Sequence, residues 1–209
     1  MMLTPETASY WLCFVWYITW WMAAVFASKA AARPRLDGGL WHRLFTAIGV
    51  VLLFWSPTRP AGYEAGLAGA AHLDPRDVLH WTQPLWTIPE SAGWALCAGI
   101  VLSFAFCWWA RVHLGTLWSG LVTTKADHRI VETGPYRIVR HPIYTGVIAA
   151  AFLTACIKSS LPAFAGFGFI WLGFWMTARV EEAFLRQQLG REPYDDYRRR
   201  TPMLFPLIG

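Results

Sequence analysis

Five stretches of the chain are apolar enough and long enough to read as membrane-crossing helices. A span needs about 20 mostly apolar residues, within a range of about 17–25. Tyr10 to Ser28 meets this and carries no charge. Leu40 to Trp55 is shorter, with Arg43 near its start, where a long cationic side chain can snorkel to the interface. Ala92 to Ala110 is again free of charge, and Ile143 to Ile157 and Leu161 to Ala178 follow. Only Lys158 to Ser160 separate the last two, with Pro162 just beyond, which predicts a tight helical hairpin. Ser56 to Ser91 holds Arg59, Glu64, Asp74, Arg76, Asp77 and Glu90 among several prolines and is not a span. Ala61 to Leu73 within it reads as a short interfacial helix. The first stretch is a poor signal peptide, because the first basic residue, Lys29, follows the apolar run instead of preceding it. The pattern predicts an all-α integral membrane protein of about five transmembrane helices. An N-terminal region, residues 1–112, carries three of them; residues 113–209 carry the hairpin and most of the polar chemistry.

Composition agrees. The 209 residues are 56% hydrophobic and 15% charged, with a mean hydropathy of +0.34. A soluble domain is roughly 45–50% apolar and about 25% charged. Disorder and a dominant soluble domain are excluded. The net charge of +5 would suit nucleic acid, but the basic residues flank apolar runs and no nucleic-acid-binding motif accompanies them. Sorted by loop, 15 of the 18 Lys and Arg residues fall on one side: Lys29 to Arg43, Arg111 to Arg140, and the tail from Arg179. Arg59, Arg76 and Lys158 fall on the other. The positive-inside bias puts the N-terminus outside and the C-terminus in the cytoplasm. Cys13, Cys97, Cys107 and Cys156 lie inside apolar runs without a CxxC pair, so neither disulfides nor a metal site are expected. The absence of an internal repeat disfavours an inverted-repeat transporter, and the near absence of charge within the spans disfavours a channel.

The polar residues concentrate in two segments against the predicted cytoplasmic boundary. The first, from His113, ends Gly134-Pro135-Tyr136-Arg137-Ile138-Val139-Arg140-His141-Pro142-Ile143-Tyr144-Thr145-Gly146. Gly134-Pro135 is a turn signal. Pro142 suits the first position of a helix, where its missing N–H costs nothing. Arg140 and His141 then sit at a positive helix N-terminus, whose free N–H groups can receive an anion. Leu121 to Thr124 and Arg129 to Val131 read as an irregular loop around a ligand. The second segment begins Arg179-Val180-Glu181-Glu182. A hairpin brings the start of its first helix to the end of its second, so Arg140 and His141 should approach Glu181 and Glu182. Neighbouring helical residues point about 100° apart, so one glutamate faces the bundle and the other faces solvent or the tail. A carboxylate near the bilayer is costly unless paired, which predicts an Arg140–glutamate ion pair. In the tail, Tyr194 and Tyr197 share a helical face. Arg198 to Arg200 suit anionic headgroups, and Leu204 to Ile208 suit a lid or an interfacial anchor.

At these residues the chain resembles the isoprenylcysteine carboxyl methyltransferase family and related membrane enzymes that methylate phospholipid amines or small thiols. The resemblance rests on Leu114-Gly115, Trp118-Ser119, Gly134-Pro135-Tyr136, Arg140-His141-Pro142 with Tyr144 and Gly146, the Glu181-Glu182 pair, and Gly190, Tyr194, Tyr197 and Pro202. It covers roughly His113 to Pro206. It implies S-adenosyl-L-methionine as methyl donor, with S-adenosyl-L-homocysteine as product, held on the cytoplasmic side between the Arg-His-Pro region and the tail. Tyr136, His141, Tyr144 and one glutamate, Glu181 by preference, would contact the cofactor, and the Gly134-Pro135-Tyr136 turn would supply backbone contacts. Arg140 would orient an acceptor carboxylate. With an amine or thiol acceptor, Glu182 or His141 becomes the candidate base. The acceptor is expected to be a lipophilic small molecule or a lipidated substrate entering from the bilayer. Membrane lipids are the other expected partners, and oligomeric state stays open. Carboxyl methylation of an isoprenylcysteine-like compound is the first choice, phospholipid or amine methylation and small-thiol methylation the alternatives. A small transporter and a non-catalytic scaffold are the readings from other classes.

Overall fold

A computed structural model describes residues 3–25, 39–55, 83–118 and 130–206. The interfacial helix expected over Ala61 to Leu73, and the loop segment Leu121 to Thr124, lie outside the described residues. Among the described residues, five apolar helices form the bundle: α1 (Pro5–Val25), α2 (Gly39–Phe54), α3 (Glu90–Leu114), α4 (Pro142–Lys158) and α5 (Leu161–Leu189). A short polar helix, α6 (Arg191–Arg200), follows. Three of these, α1, α3 and α5, are long and apolar enough to cross a membrane. The helices α2 and α4, with 16 and 17 residues, are shorter.

Sequence punctuation explains the ends. Pro142 occupies the first position of α4, as its missing N–H allows. Ser159 turns the chain left-handed at the end of α4, and Pro162 opens α5, closing the expected hairpin. The turn is tied to the segment before α3: Ser159 Oγ donates to the Trp86 carbonyl at 2.5 Å, and the Leu85 N–H donates to the Ser159 carbonyl at 2.5 Å. The helix α5 continues past Ala178, where its apolar run ends, through Glu181 and Glu182 to Leu189. Gly190 stops it at φ +93°.

Small residues set the packing. A Cβ on Gly49 of α2 would lie 2.7 Å from the Gly166 carbonyl of α5. A Cβ on Gly146 of α4 would overlap Cys107 Sγ and lie 2.6 Å from the Ser103 carbonyl of α3. Both helix pairs therefore approach backbone to backbone, the contact that small residues permit where lipid removes the hydrophobic drive between helices. The helix α1 packs on α3 and α4 while α2 packs mainly on α5, so α1 and α2 flank the bundle on different neighbours.

The tryptophans near the first helix have a structural account. Trp16 stacks on Phe104 of α3 with centroids 4.6 Å apart and on Trp20 at 5.1 Å. Arg111 of α3 lies 3.3 Å over the Trp118 ring and 4.9 Å over Trp20. Cation–π attraction strengthens when the cation is shielded from water, so this cluster fastens the C-terminal half of α1 to α3.

Candidate active site

The hairpin brings the start of α4 beside the polar continuation of α5. Arg140 Nε donates to Glu182 Oε1 at 2.6 Å, with both side chains almost wholly buried. The His141 ring sits between the two carboxylates, its Nε2 3.3 Å from Glu182 Oε1 and its Nδ1 3.6 Å from Glu181 Oε2. Tyr144 Oη donates to Glu181 Oε2 at 2.8 Å. The Tyr144 ring lies parallel to the His141 ring, with centroids 5.3 Å apart. Of the two glutamates, Glu182 is buried and Glu181 is half-buried, the division their angular offset requires.

Electrostatics fit this arrangement. Burial opposes ionisation of Glu182, but hydrogen bonds from His141 and Arg140 and their charges outweigh it and bring the carboxyl down to about 2. Burial, helped by the negative charge of Glu181, pushes the Tyr136 hydroxyl well above its ordinary range. Tyr194 and Tyr197 shift the same way, chiefly through burial. All three remain neutral at physiological pH.

The tail straps the cluster. The N–H groups of Arg140 and His141 donate to the carbonyls of Pro202 and Met203 at 2.9 and 3.1 Å. Arg140 Nη1 donates to the Arg198 carbonyl at 3.1 Å and to the Thr201 carbonyl. Thr145 Oγ1 donates to the Leu204 carbonyl at 2.6 Å. These contacts correct one sequence expectation: the N–H groups of Arg140 and His141 are not free for an anion, because tail carbonyls occupy them. Arg198 to Arg200, expected at anionic headgroups, have partners within the chain. They pair with Glu182 and Asp195, with Asp196, and with Glu132 and Asp196 respectively. Leu204 is buried beneath the strap, while the expected apolar end at Leu207 and Ile208 lies outside the described residues.

The Gly134-Pro135-Tyr136 turn forms a short 3₁₀ segment (Gly134–Arg137). Gly134 has φ +59°, and a Cβ there would lie 2.7 Å from the His113 ring, so only glycine fits. His113 Nε2 lies 2.8 Å from Thr133 Oγ1, and its ring stacks against Tyr136. Tyr197 Oη donates to the Tyr136 carbonyl at 2.7 Å, linking α6 to the turn.

These groups border a cavity of about 1170 Å³ lined by residues of α1 to α6 and of the segments beside Trp118 and before Pro142. Tyr136, Arg140, His141, Tyr144 and Glu181 line its polar end, His42, Arg43 and Thr46 of α2 and Thr177 of α5 add polar groups, and most of the remaining wall is apolar. Three of the residues singled out from sequence are not on its wall. Gly134 and Pro135 stand behind Tyr136, and Glu182 stands behind Arg140 and His141, held by them and by Arg198 Nε at 3.2 Å. Sequence reasoning missed the strap carbonyls, Thr145, Arg198 and His113. A helix-ending Thr201-Pro202 was the signal for the strap; nothing in the sequence singled out His113.

Residues 94–187 match the family model for the isoprenylcysteine carboxyl methyltransferase (ICMT) family. The match begins within α3 and ends near the foot of α5, so it contains both the Arg-His-Pro motif and the glutamate pair. The chain is 33% identical over 116 residues to the protein-S-isoprenylcysteine O-methyltransferase of Schizosaccharomyces pombe, covering 54% of this chain and 47% of that protein. It is 32% identical over 105 residues to protein-S-isoprenylcysteine O-methyltransferase B of Arabidopsis thaliana, covering 48% and 52%. It is also 33% identical over 101 residues to the nickel-cobalt-cadmium resistance protein NccN of Alcaligenes xylosoxydans xylosoxydans, covering 46% and 45%. The chain thus spans about half the length of the curated relatives it matches.

Proposed function

We propose that this chain is an integral membrane methyltransferase that transfers a methyl group from S-adenosyl-L-methionine to a lipophilic acceptor. The observation that carries the reading is one continuous cavity, polar at the foot of the hairpin and apolar along the bundle. The proposed topology has five spans, the N-terminus outside and the site on the cytoplasmic face. The short α2 and α4 suit spans that are sheathed on one side by longer neighbours.

The polar end suits the proposed cofactor. When bound, S-adenosyl-L-methionine supplies an activated methyl group on a sulfonium sulfur. Glu181, on the cavity wall, offers a carboxylate to an ammonium group. Tyr136 and Tyr144 offer neutral aromatic faces, which attract a cation. His141 is fixed between Glu181 and Glu182 and presents a ring of defined orientation. Arg140 lines the cavity, and its Nη2 makes no hydrogen bond among the described residues. That edge of the guanidinium is placed to receive an acceptor carboxylate. Glu182 stands off the wall with its oxygens engaged, which favours a positioning role over service as a base. A carboxylate acceptor needs no base, and alignment of the reacting groups then supplies much of the acceleration.

Carboxyl methylation of an isoprenylcysteine-like acceptor is the first choice, because two relatives carry that activity in their names. Equal identity to a relative named for metal resistance favours testing amine and thiol acceptors beside it. The test is transfer of labelled methyl by protein in nanodiscs to prenylcysteine, phospholipid amine and thiol panels. Base-labile label on the prenylcysteine carboxyl is expected. Label confined to amine or thiol would overturn the acceptor, and label in no acceptor would count against the enzyme.

A further inference from the structure

The cavity has a closed outer end, and its depth is fixed by the helices that line it. Above the polar end, the lining runs on α1 from Trp20 up to Tyr10 and on α5 from Glu181 up to Ile170, while Leu185 and Leu189 of α5 line it below that level. At about 1.5 Å per residue, these are depths of roughly 15 and 16 Å. On α4 the wall stops at Ala151, although the helix runs on to Lys158. Beyond that point Ala155 and Ala163 are packed with no exposure, so the cavity ends against a filled core.

The ceiling is built from Tyr10 and Phe54, whose rings meet edge to face with centroids 5.5 Å apart. This contact bridges α1 and α2 above the cavity. Tyr10 Oη is anchored to Glu6 Oε1 at 2.7 Å. Lys158 secures the other side: its Nζ donates to the Leu53 carbonyl at 3.2 Å and to the Trp55 carbonyl, and lies 5.8 Å from the Tyr10 ring. Below the ceiling, Phe14 and Tyr17 of α1 and Val50 and Val51 of α2 line the cavity yet remain exposed, which marks the gap between α1 and α2 as its side opening.

We propose that the Tyr10–Phe54 contact is a ruler that sets the length of the acceptor's apolar chain. This rests on the methyltransferase reading of the polar end. With C–C bonds of about 1.5 Å and tetrahedral angles, an extended chain advances roughly 1.25 Å per atom. A depth of 15–16 Å, less the room its head group takes beside Glu181, accommodates on the order of 10–12 chain atoms. Each methylene that enters adds up to about fourfold in affinity, the equivalent of roughly 0.8 kcal/mol. Methylenes beyond the ceiling add nothing, or must bend out through the side opening.

The test uses S-alkyl-N-acetylcysteines with chains of 6 to 20 carbons and the full-length protein in nanodiscs. Two readouts are taken: binding by thermal shift, and labelled methyl transfer. Binding should strengthen up to fourfold per carbon and then level off or fall near 10–12 carbons. Tyr10→Ala should move that break to longer chains, and Val147→Phe, which narrows the cavity partway up, should move it to shorter ones. Unchanged S-adenosylhomocysteine affinity in both variants would show that each is folded with its polar end intact. A break in binding that moves with these variants, without methyl transfer, would keep the ruler and overturn the acceptor chemistry. Binding or methyl transfer with no break would overturn the ruler, and methyl transfer seen in that case would leave the enzyme reading in place. A break that stays fixed in both folded variants would overturn it as well.

Discussion

Glu182 is the residue on which the site's charges converge. Arg140, His141 and Arg198 all reach its carboxylate, and burial alone would have made that carboxylate costly. Replacing it leaves Arg140 buried without its counter-charge. Glu182→Gln should therefore destabilise the protein by about 3 kcal/mol, the low end for a broken buried pair, read as a fall in the thermal midpoint in nanodiscs. The pH dependence has a defined sign. The folded carboxyl is brought from its ordinary 4.5 down to about 2, so its stabilising contribution is complete above pH 4.5. It is lost as the pH falls from 4.5 towards 2. A melting series should show this acid-side loss in the wild type, and Glu182→Gln should lack that component. The pairing of Arg140 with a glutamate was legible from the sequence, because a hairpin needs its first and last turns together. The assignment of Glu182 to the inner face was not, since a two-residue motif fixes an angle between side chains but not their absolute direction.

At the scale of elements, apolar runs located all five helices but misjudged where they end. The helix α5 continues eleven residues past Ala178 to Leu189, although its last turns hold Arg179, Glu181, Glu182 and Arg186. Hydropathy marks the point where lipid contact ends, whereas helix continuation depends on partners. Here α4, the residue pair before it and α6 supply them: Tyr144 for Glu181, Arg140 for Glu182, and Asp195 for Arg186 at 2.6 Å. Helix pairing was also beyond the sequence, because a lone glycine does not name the surface it meets. The contact of Gly146 with Cys107 and Ser103 makes a strong prediction. Gly146→Val should force α4 away from α3 at a cost of about 1–3 kcal/mol. It should also weaken S-adenosylhomocysteine binding, since His141 and Tyr144 stand on the same end of α4. A control placed in open space, Gly168→Ala, meets no neighbour within 4 Å and should leave S-adenosylhomocysteine binding unchanged without lowering stability.

At the scale of the molecule, the chain wraps its C-terminal segment back over the hairpin. Carbonyls from Thr201 to Leu204 hold Arg140, His141 and Thr145 from outside the bundle. Truncation after Arg200 should raise hydrogen exchange at the Arg140 and His141 amides. Cofactor affinity should fall at least tenfold while the bundle stays helical by circular dichroism. The sequence indicated a tail ending in an apolar segment but not its target, because backbone carbonyls carry no residue signature. Orientation is tested by impermeant thiol labelling in intact cells or sealed vesicles of known sidedness: a cysteine placed at Thr4 should react from outside, and one at Arg191 only after permeabilisation.

If the polar end of the cavity holds the methyl donor, S-adenosylhomocysteine should bind there. Calorimetric titration of S-adenosylhomocysteine into protein in nanodiscs tests this, with His141→Ala and Glu181→Ala alongside. Saturable one-site binding is expected, lost or weakened at least tenfold in either variant while both remain folded. No binding by folded wild-type protein, or binding indifferent to both substitutions, would contradict the placement of the cofactor between the Arg-His-Pro segment and the glutamate pair.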